Sequence, residues 1–155
     1  MTSISTTSIA DDMPKVVIDV GRLELALVNL ISNAIKYSDA SKPERVVEVT
    51  AHTAGDGSCV LSVKDNGIGI PSHRIAQIFR RFTRAHSDQP EFESLAGVGL
   101  GLAIVDDCVS AMGGTITVES VEGRGTEFLV TLPCPQDAST PGPSGSPVAD
   151  GQPVQ

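Results

Sequence analysis

No run of 18 or more apolar residues occurs in this 155-residue sequence, so no membrane-spanning helix is expected. The first residues also lack the basic and apolar regions of a secretory leader, and the expected location is the cytoplasm, with any membrane anchor left to a longer parent protein. Cations are scarce: 11 Lys and Arg stand against 19 Asp and Glu, a net charge of -8. That balance argues against a general nucleic-acid surface, which needs clustered Lys and Arg to meet phosphate backbones. It leaves room for a polyphosphate held locally by a few cations, backbone N–H groups and Mg²⁺. The three cysteines, Cys59, Cys108 and Cys134, form no CxxC pair. Neither a disulfide scaffold nor a zinc site is expected, and reduced thiols are the plain reading. His52, His73 and His86 stand at no metal-ligand spacing and are read as surface residues.

What remains is enough for one domain with a single sizeable core. Residues 23–38 (LELALVNLISNAIKYS) carry two stripes when wound as a helix. Leu23, Leu27, Leu30, Ile31 and Ala34 share a core-facing side, and Asn29, Asn33, Lys36 and Tyr37 fall on a neighbouring one. Asparagine is a mediocre helix former, so two at i, i+4 point to a ligand surface. Before this helix, residues 1–13 read as a disordered linker or remnant, residues 15–20 as a short strand, and Asp19 as a charge suited to the helix start. After it, residues 46–52 and 59–64 form a hairpin, residues 72–82 a short amphipathic helix, and residues 83–95 a mobile loop. A second long helix follows the 97–101 glycine cluster, with Leu102, Val105, Val109 and Met112 on one face and Gly113-Gly114 as its cap. Residues 115–119 and 127–132 form a second hairpin, and residues 134–155 a disordered Pro/Gly/Ser tail. Helices alternating with hairpins predict an α+β, two-layer α/β sandwich for residues 14–133.

Two glycine clusters lie where a strand or loop meets a helix. They are either tight packing turns or places where backbone N–H groups reach a phosphate and a planar base lies on the main chain. Asp65, at the end of an apolar strand, either caps a turn or accepts a hydrogen bond from an exocyclic amine. Arg80, Arg81 and Arg84 are either solvated charge or a polyphosphate clamp.

The motifs gain meaning in combination. Asn-x-x-x-Asn-Ala-x-Lys-Tyr at 29–37, Asp-x-Gly-x-Gly-Ile at 65–70, Ile-Phe-x-Arg-Phe at 78–82, Gly-x-Gly-Leu-Gly-Leu at 97–102 and Gly-x-Gly-Thr-x-Phe at 123–128 occur in this order. Over residues 14–133 the chain resembles the catalytic and ATP-binding domain of a bacterial sensor histidine kinase. That domain belongs to the ATPase superfamily that also holds DNA gyrase, heat-shock protein 90 and mismatch-repair proteins. The resemblance implies a mixed sheet of about five strands backed by three helices, with ATP and Mg²⁺ as cofactors. Asn33 would give an oxygen to Mg²⁺, a hard cation. Asn29 would support the phosphate region, Lys36 would neutralise triphosphate charge and Tyr37 would pack on the nucleotide. Asp65 would accept the adenine amine, Gly67, Gly69 and Ile70 would line the base, and Thr126 would help to hold that amine. Residues 70–96 would be a lid, anchored by Phe79 and Phe82 and carrying Arg81 and Arg84 toward the phosphates. Gly97, Val98, Gly99, Leu100, Gly101 and Leu102 would present the turn beneath them.

Hydrolytic members of the superfamily place a Glu where this chain has Asn29, and an amide has no useful basicity near neutral pH. The resemblance therefore implies that the γ-phosphate is reserved for an acceptor other than water. No His here is set like a phosphoacceptor, so the expected partner is a His-containing dimerisation domain, in the same parent chain or separate, with a response regulator downstream. Neither nucleic acid nor membrane contact is expected. A stand-alone serine kinase of the anti-sigma-factor type is the alternative, and a degenerate nucleotide sensor a third.

Overall fold

The computed structural model describes residues 2–9, 17–79 and 101–134. Its frame is a five-stranded sheet in the order β1-β2-β3-β5-β4. The strands are β1 (Thr2–Ile9), β2 (Arg45–Thr53), β3 (Cys59–Asp65), β4 (Thr115–Val121) and β5 (Gly125–Leu132). β1 runs parallel to β2, and every other pairing is antiparallel, so the sheet is mixed. Three helices accompany it among the described residues: α1 (Val20–Lys36), α2 (Ser72–Ile75) and α3 (Gly101–Ala111).

Side-chain alternation decides which face of the sheet is covered. Val47 and Val49 of β2, Leu61 and Val63 of β3, Val118 of β4, and Phe128, Val130 and Leu132 of β5 belong to one core with the helices. On the opposite face, register sets Lys64 between Glu48 and Glu127, an arrangement of alternating charge suited to water. The core line of α1 is Ala26, Leu30 and Ala34, flanked by Leu23, Leu27 and Ile31. α3 supplies Ala103, Val105, Cys108 and Val109. α1 and α3 also pack against each other.

Helix ends follow local chemistry. Asp19 caps α1 by accepting the Arg22 N–H at 3.0 Å and pairs with the Arg22 guanidinium. Those contacts, first of all the Arg22 N–H, hold its carboxyl below the usual carboxylate range. Just beyond α3, the φ of 75° at Gly113 and its N–H to the Ser110 carbonyl, with the Gly114 N–H on the Val109 carbonyl, close the expected glycine cap.

Several sequence expectations need correction. The polar stretch read as a linker contains β1, with Thr2 opposite Arg45 and Ile4 opposite Val47. Its alternating Thr, Ser and Ile are compatible with a strand, and an edge strand is held by main-chain bonds that polarity does not reveal. Residues 17–19 are not strand, and Val20 already belongs to α1, which ends at Lys36 with Tyr37 as its cap rather than at Ser38. Of the helix expected at 72–82, residues 80–82 lie outside the described residues, and over 72–79 α2 covers only Ser72–Ile75. Cys59 and Cys134 form a disulfide, contrary to the expectation of three reduced thiols, and Cys134 is thereby tied to the sheet rather than belonging to a loose tail. The cause is topological. Antiparallel pairing sets Cys59 opposite Leu132, so a cysteine 75 residues away in sequence comes to a Cα–Cα distance of 5.8 Å. Cys108 stays free and buried.

Candidate functional site

The site residues gather along one edge of the sandwich, where α1, the exit of β3 and the start of α3 converge. The polar stripe of α1 lies half-buried: Asn29, Asn33, Lys36 and Tyr37 are neither core nor fully exposed. Asn29 is fixed by its amide Nδ2, which donates to the Leu25 carbonyl at 2.7 Å. Its Oδ1 faces α3, since a Cβ built on Gly101 would stand 3.1 Å away. The two long helices thus meet, at the first residue of α3, through an amide oxygen and a glycine. Leu102, next along, is half-buried and packs on the core.

β3 leaves the sheet at Asp65, and the turn that follows is threaded through a narrow gap. The Gly67 N–H donates to Asp65 Oδ1 at 2.8 Å, and the Ile68 N–H donates to the Tyr37 carbonyl at 3.1 Å. A Cβ on Gly67 would run into that carbonyl oxygen, so only glycine lets the turn pass the end of α1. Gly69, with φ of 72°, passes equally close to the Val121 carbonyl, and the Gly123 N–H returns to the Ile68 carbonyl at 2.7 Å. Ile70 is buried, and its N–H donates to Ser120 Oγ at 2.8 Å. Phe79 meets Phe128 edge to face, with centroids 6.2 Å apart, so the entry to the expected lid is pinned to the sheet.

Asp65 sits beside Thr126 in the β3–β5 register. Burial pushes its carboxyl up to about 6, while the Gly67 and Thr126 N–H groups and the Lys42 ammonium pull the other way. At neutral pH it is therefore mostly ionised, a strong acceptor kept partly out of water. Thr126 is buried, its Oγ1 2.8 Å from Ser120 Oγ, and Ser120 also donates to the Gly125 carbonyl at 2.9 Å.

Ser120 and Lys42 belong to this region and were missed from the sequence. A serine in a strand and a lysine in a polar turn give no periodic or motif signal. Asn66 is likewise structural, its Oδ1 accepting the Val46 N–H at 2.8 Å and its Nδ2 donating to the Glu44 carbonyl at 2.9 Å. Arg80, Arg81, Phe82, Arg84, Gly97, Val98, Gly99 and Leu100 lie outside the described residues. Among the described residues no group of three or more His, Cys, Asp or Glu could hold a metal ion, and His52 and His73 are exposed. The oxygens that remain suit a hard cation carried mainly by its substrate, since Mg²⁺ takes few protein ligands and keeps phosphates and waters. The half-buried Asn33 amide fits that donor set.

This sandwich, with an acidic residue at a strand exit and paired asparagines on the first helix, defines an ATP-binding domain of the histidine-kinase type. The chain belongs to the family described as Histidine kinase-, DNA gyrase B-, and HSP90-like ATPase, which matches residues 18–136. It is similar to the sensor protein kinase WalK of Staphylococcus saprophyticus, with 42% identity over 117 residues that cover 76% of this chain and 18% of that kinase. The WalK of Staphylococcus aureus is 38% identical over 136 residues, covering 85% of this chain and 32% of the relative. The chain thus spans only a minor part of the curated relatives it matches. Among solved structures, the mycobacterial sensor histidine kinase MprB superposes with a TM-score of 0.68 at 30% identity, covering 88% of this chain and 84% of that one. Full-length ShkA in complex with AMPPNP gives 0.70 at 33% identity, covering 89% and 26%. The expected fold class is therefore borne out, including the five-stranded mixed sheet.

Proposed function

We propose that this chain binds Mg-ATP and donates the γ-phosphate to a histidine on a dimerisation domain, in two-component signal transduction with a response regulator downstream. The observation that carries the reading is the ionised, half-buried Asp65 carboxylate at the glycine-cleared exit of β3. A carboxylate accepts a hydrogen bond from the 6-amino group of adenine and repels the 6-oxo group of guanine, so it selects the base. Thr126, hydrogen-bonded to Ser120, supports the same amine. Gly67, Gly69 and Ile70 leave the base a flat backbone to lie on.

The phosphates extend toward the polar stripe of α1. Lys36 offsets their charge, Tyr37 packs against the nucleotide, and Asn33 holds Mg²⁺, which when bound would neutralise charge on the phosphate oxygens. The start of α3 offers backbone N–H groups and the positive end of its dipole, with Gly101 and Leu102 at the contact. Arg81 and Arg84 remain proposed phosphate contacts, and residues 97–100 a proposed phosphate turn, on the resemblance alone. Asn29 decides the fate of the γ-phosphate. Its Nδ2 donates to the Leu25 carbonyl, and its Oδ1 is an amide oxygen, so it cannot take a proton from water as a carboxylate would. The names of the relatives, sensor kinases rather than hydrolytic ATPases, support transfer to a side chain.

The test supplies γ-labelled ATP, Mg²⁺ and a purified His-bearing dimerisation domain. Acid-labile label on that domain is expected, with little release of inorganic phosphate. Release to water as the main product, or transfer only to a serine protein, would contradict the proposal.

A further inference from the structure

Lys42 lies outside every motif in the sequence, in the connection between α1 and β2, yet its ammonium reaches three main-chain carbonyls at the site. Nζ donates to Asn66 O at 2.6 Å, Gly67 O at 3.3 Å and Arg124 O at 3.5 Å. The shortest of these is the bond to Asn66 O, and each of the three acceptors is a backbone oxygen. The acceptors belong to two different turns. Asn66 and Gly67 leave β3 immediately after Asp65, while Arg124 closes the β4–β5 turn, two residues before Thr126. Lys42 therefore ties together the segments that carry the two side chains facing the base.

We infer that Lys42 is a positioning residue for base recognition, one that holds the Asn66–Gly67 turn after Asp65 against the β4–β5 turn before Thr126 and so tunes the selectivity for a 6-aminopurine. The inference rests on the nucleotide-binding reading above and assigns it a residue that acts through the main chain.

Asp65 itself is paired with Thr126 in the β3–β5 ladder, and what Lys42 adds is a link from the two residues beyond it, Asn66 and Gly67, to Arg124. Asn66 fixes the same turn laterally, through Glu44 and Val46 of the incoming strand, but makes no bond to the β4–β5 turn. The turns are also linked by the Gly123 N–H on the Ile68 carbonyl, beyond the Asp65–Gly67 segment. Electrostatics follow the same contacts. Of the charged side chains around Asp65, Lys42 acts on the carboxyl, whereas Lys64, Glu48 and Glu127 occupy the opposite face of the sheet. Lys42 also acts on Asp39, whose carboxyl is held low first by Ser41 and then by this lysine.

The test compares the wild-type chain with Lys42→Met and Lys42→Arg. Dissociation constants for ATP and for inosine triphosphate, which carries an oxo group in place of the amine, are measured from pH 5.5 to 8.5. Lys42→Met is expected to weaken ATP about tenfold or more, the range for losing charge-assisted hydrogen bonds, and to shrink the ATP-to-inosine-triphosphate ratio. The acid midpoint of ATP binding should also move to higher pH, because Asp65 loses the cation that favours its ionised form. Lys42→Arg, which keeps the charge, should restore the midpoint. A general loss of packing would lower affinity for both nucleotides alike and leave the midpoint in place. Should Lys42→Met be unfolded, the Lys42→Gln and Lys42→Arg pair carries the same comparison. Wild-type ratio and midpoint in the charge-removing variant overturn the inference while leaving the site reading intact. Absence of ATP binding by the wild-type chain overturns both.

Discussion

Replacing Asp65 with asparagine should stabilise the ligand-free domain at neutral pH while weakening its hold on ATP. In the folded chain burial raises the Asp65 carboxyl from 3.8 to about 6. Between those two values the folded state binds more protons than the unfolded one, so stability falls as pH rises and levels off above the folded value. The shift is about two units, and at about 1.36 kcal/mol per unit the full penalty is about 3 kcal/mol. The carboxyl is only half-buried and Lys42 stands near it, so solvent screening takes part of this, leaving about 1–3 kcal/mol. An asparagine carries no such penalty. Urea denaturation of both chains from pH 4 to 8 should show the stability of Asp65→Asn, relative to wild type, growing by that amount across pH 4–6.5 and then holding steady. Any fixed cost of the amide shifts the whole curve without changing its shape. A difference that is flat with pH, or that moves against the variant as pH rises, would refute the assignment of Asp65 as a carboxylate held against its own burial. The same variant should bind ATP roughly 10–100-fold more weakly, the usual scale for a hydrogen bond to a charged group.

Further expectations follow from packing. Gly67→Ala would push a methyl into the Tyr37 carbonyl and to 2.8 Å from Asp65 Oδ1, and should cost at least about 2 kcal/mol and remove nucleotide binding; a near-wild-type melting curve with intact binding would show that the turn has room. Joint replacement Cys59→Ser and Cys134→Ser opens a loop closed over a sequence separation of 75 and should cost about 2–4 kcal/mol in urea, matched by wild type under reductant. Equal stability with and without reductant would show that the bond contributes nothing.

Sequence periodicity exposed the architecture best where side chains carry the signal. The two faces of α1 were legible because Leu30 and Ala34 repeat at helical spacing while Asn29 and Asn33 repeat beside them. The hairpins were legible from β-branched runs broken by glycine. β1 was not, since an edge strand is held by main-chain bonds and its Ser and Thr residues read as solvated chain. The disulfide depends on strand order, which brings together residues far apart in sequence. Asp65 stands out in the sequence at the end of an apolar strand, with turn cap and amine acceptor both open, and the upward direction of its titration needs the burial around it. Lys42 and Ser120 act on backbone carbonyls and on another hydroxyl, contacts that no spacing of residue types announces.

The most direct test is a calorimetric titration of the chain with ATP at pH 7.5, with and without Mg²⁺, on wild type and Asn33→Ala. The account predicts saturable one-to-one binding that Mg²⁺ strengthens in wild type, and an Mg²⁺ effect largely lost in Asn33→Ala. No binding by wild type, or the same gain from Mg²⁺ in Asn33→Ala, would contradict the claim that the polar stripe of α1 is the floor of a Mg-ATP site.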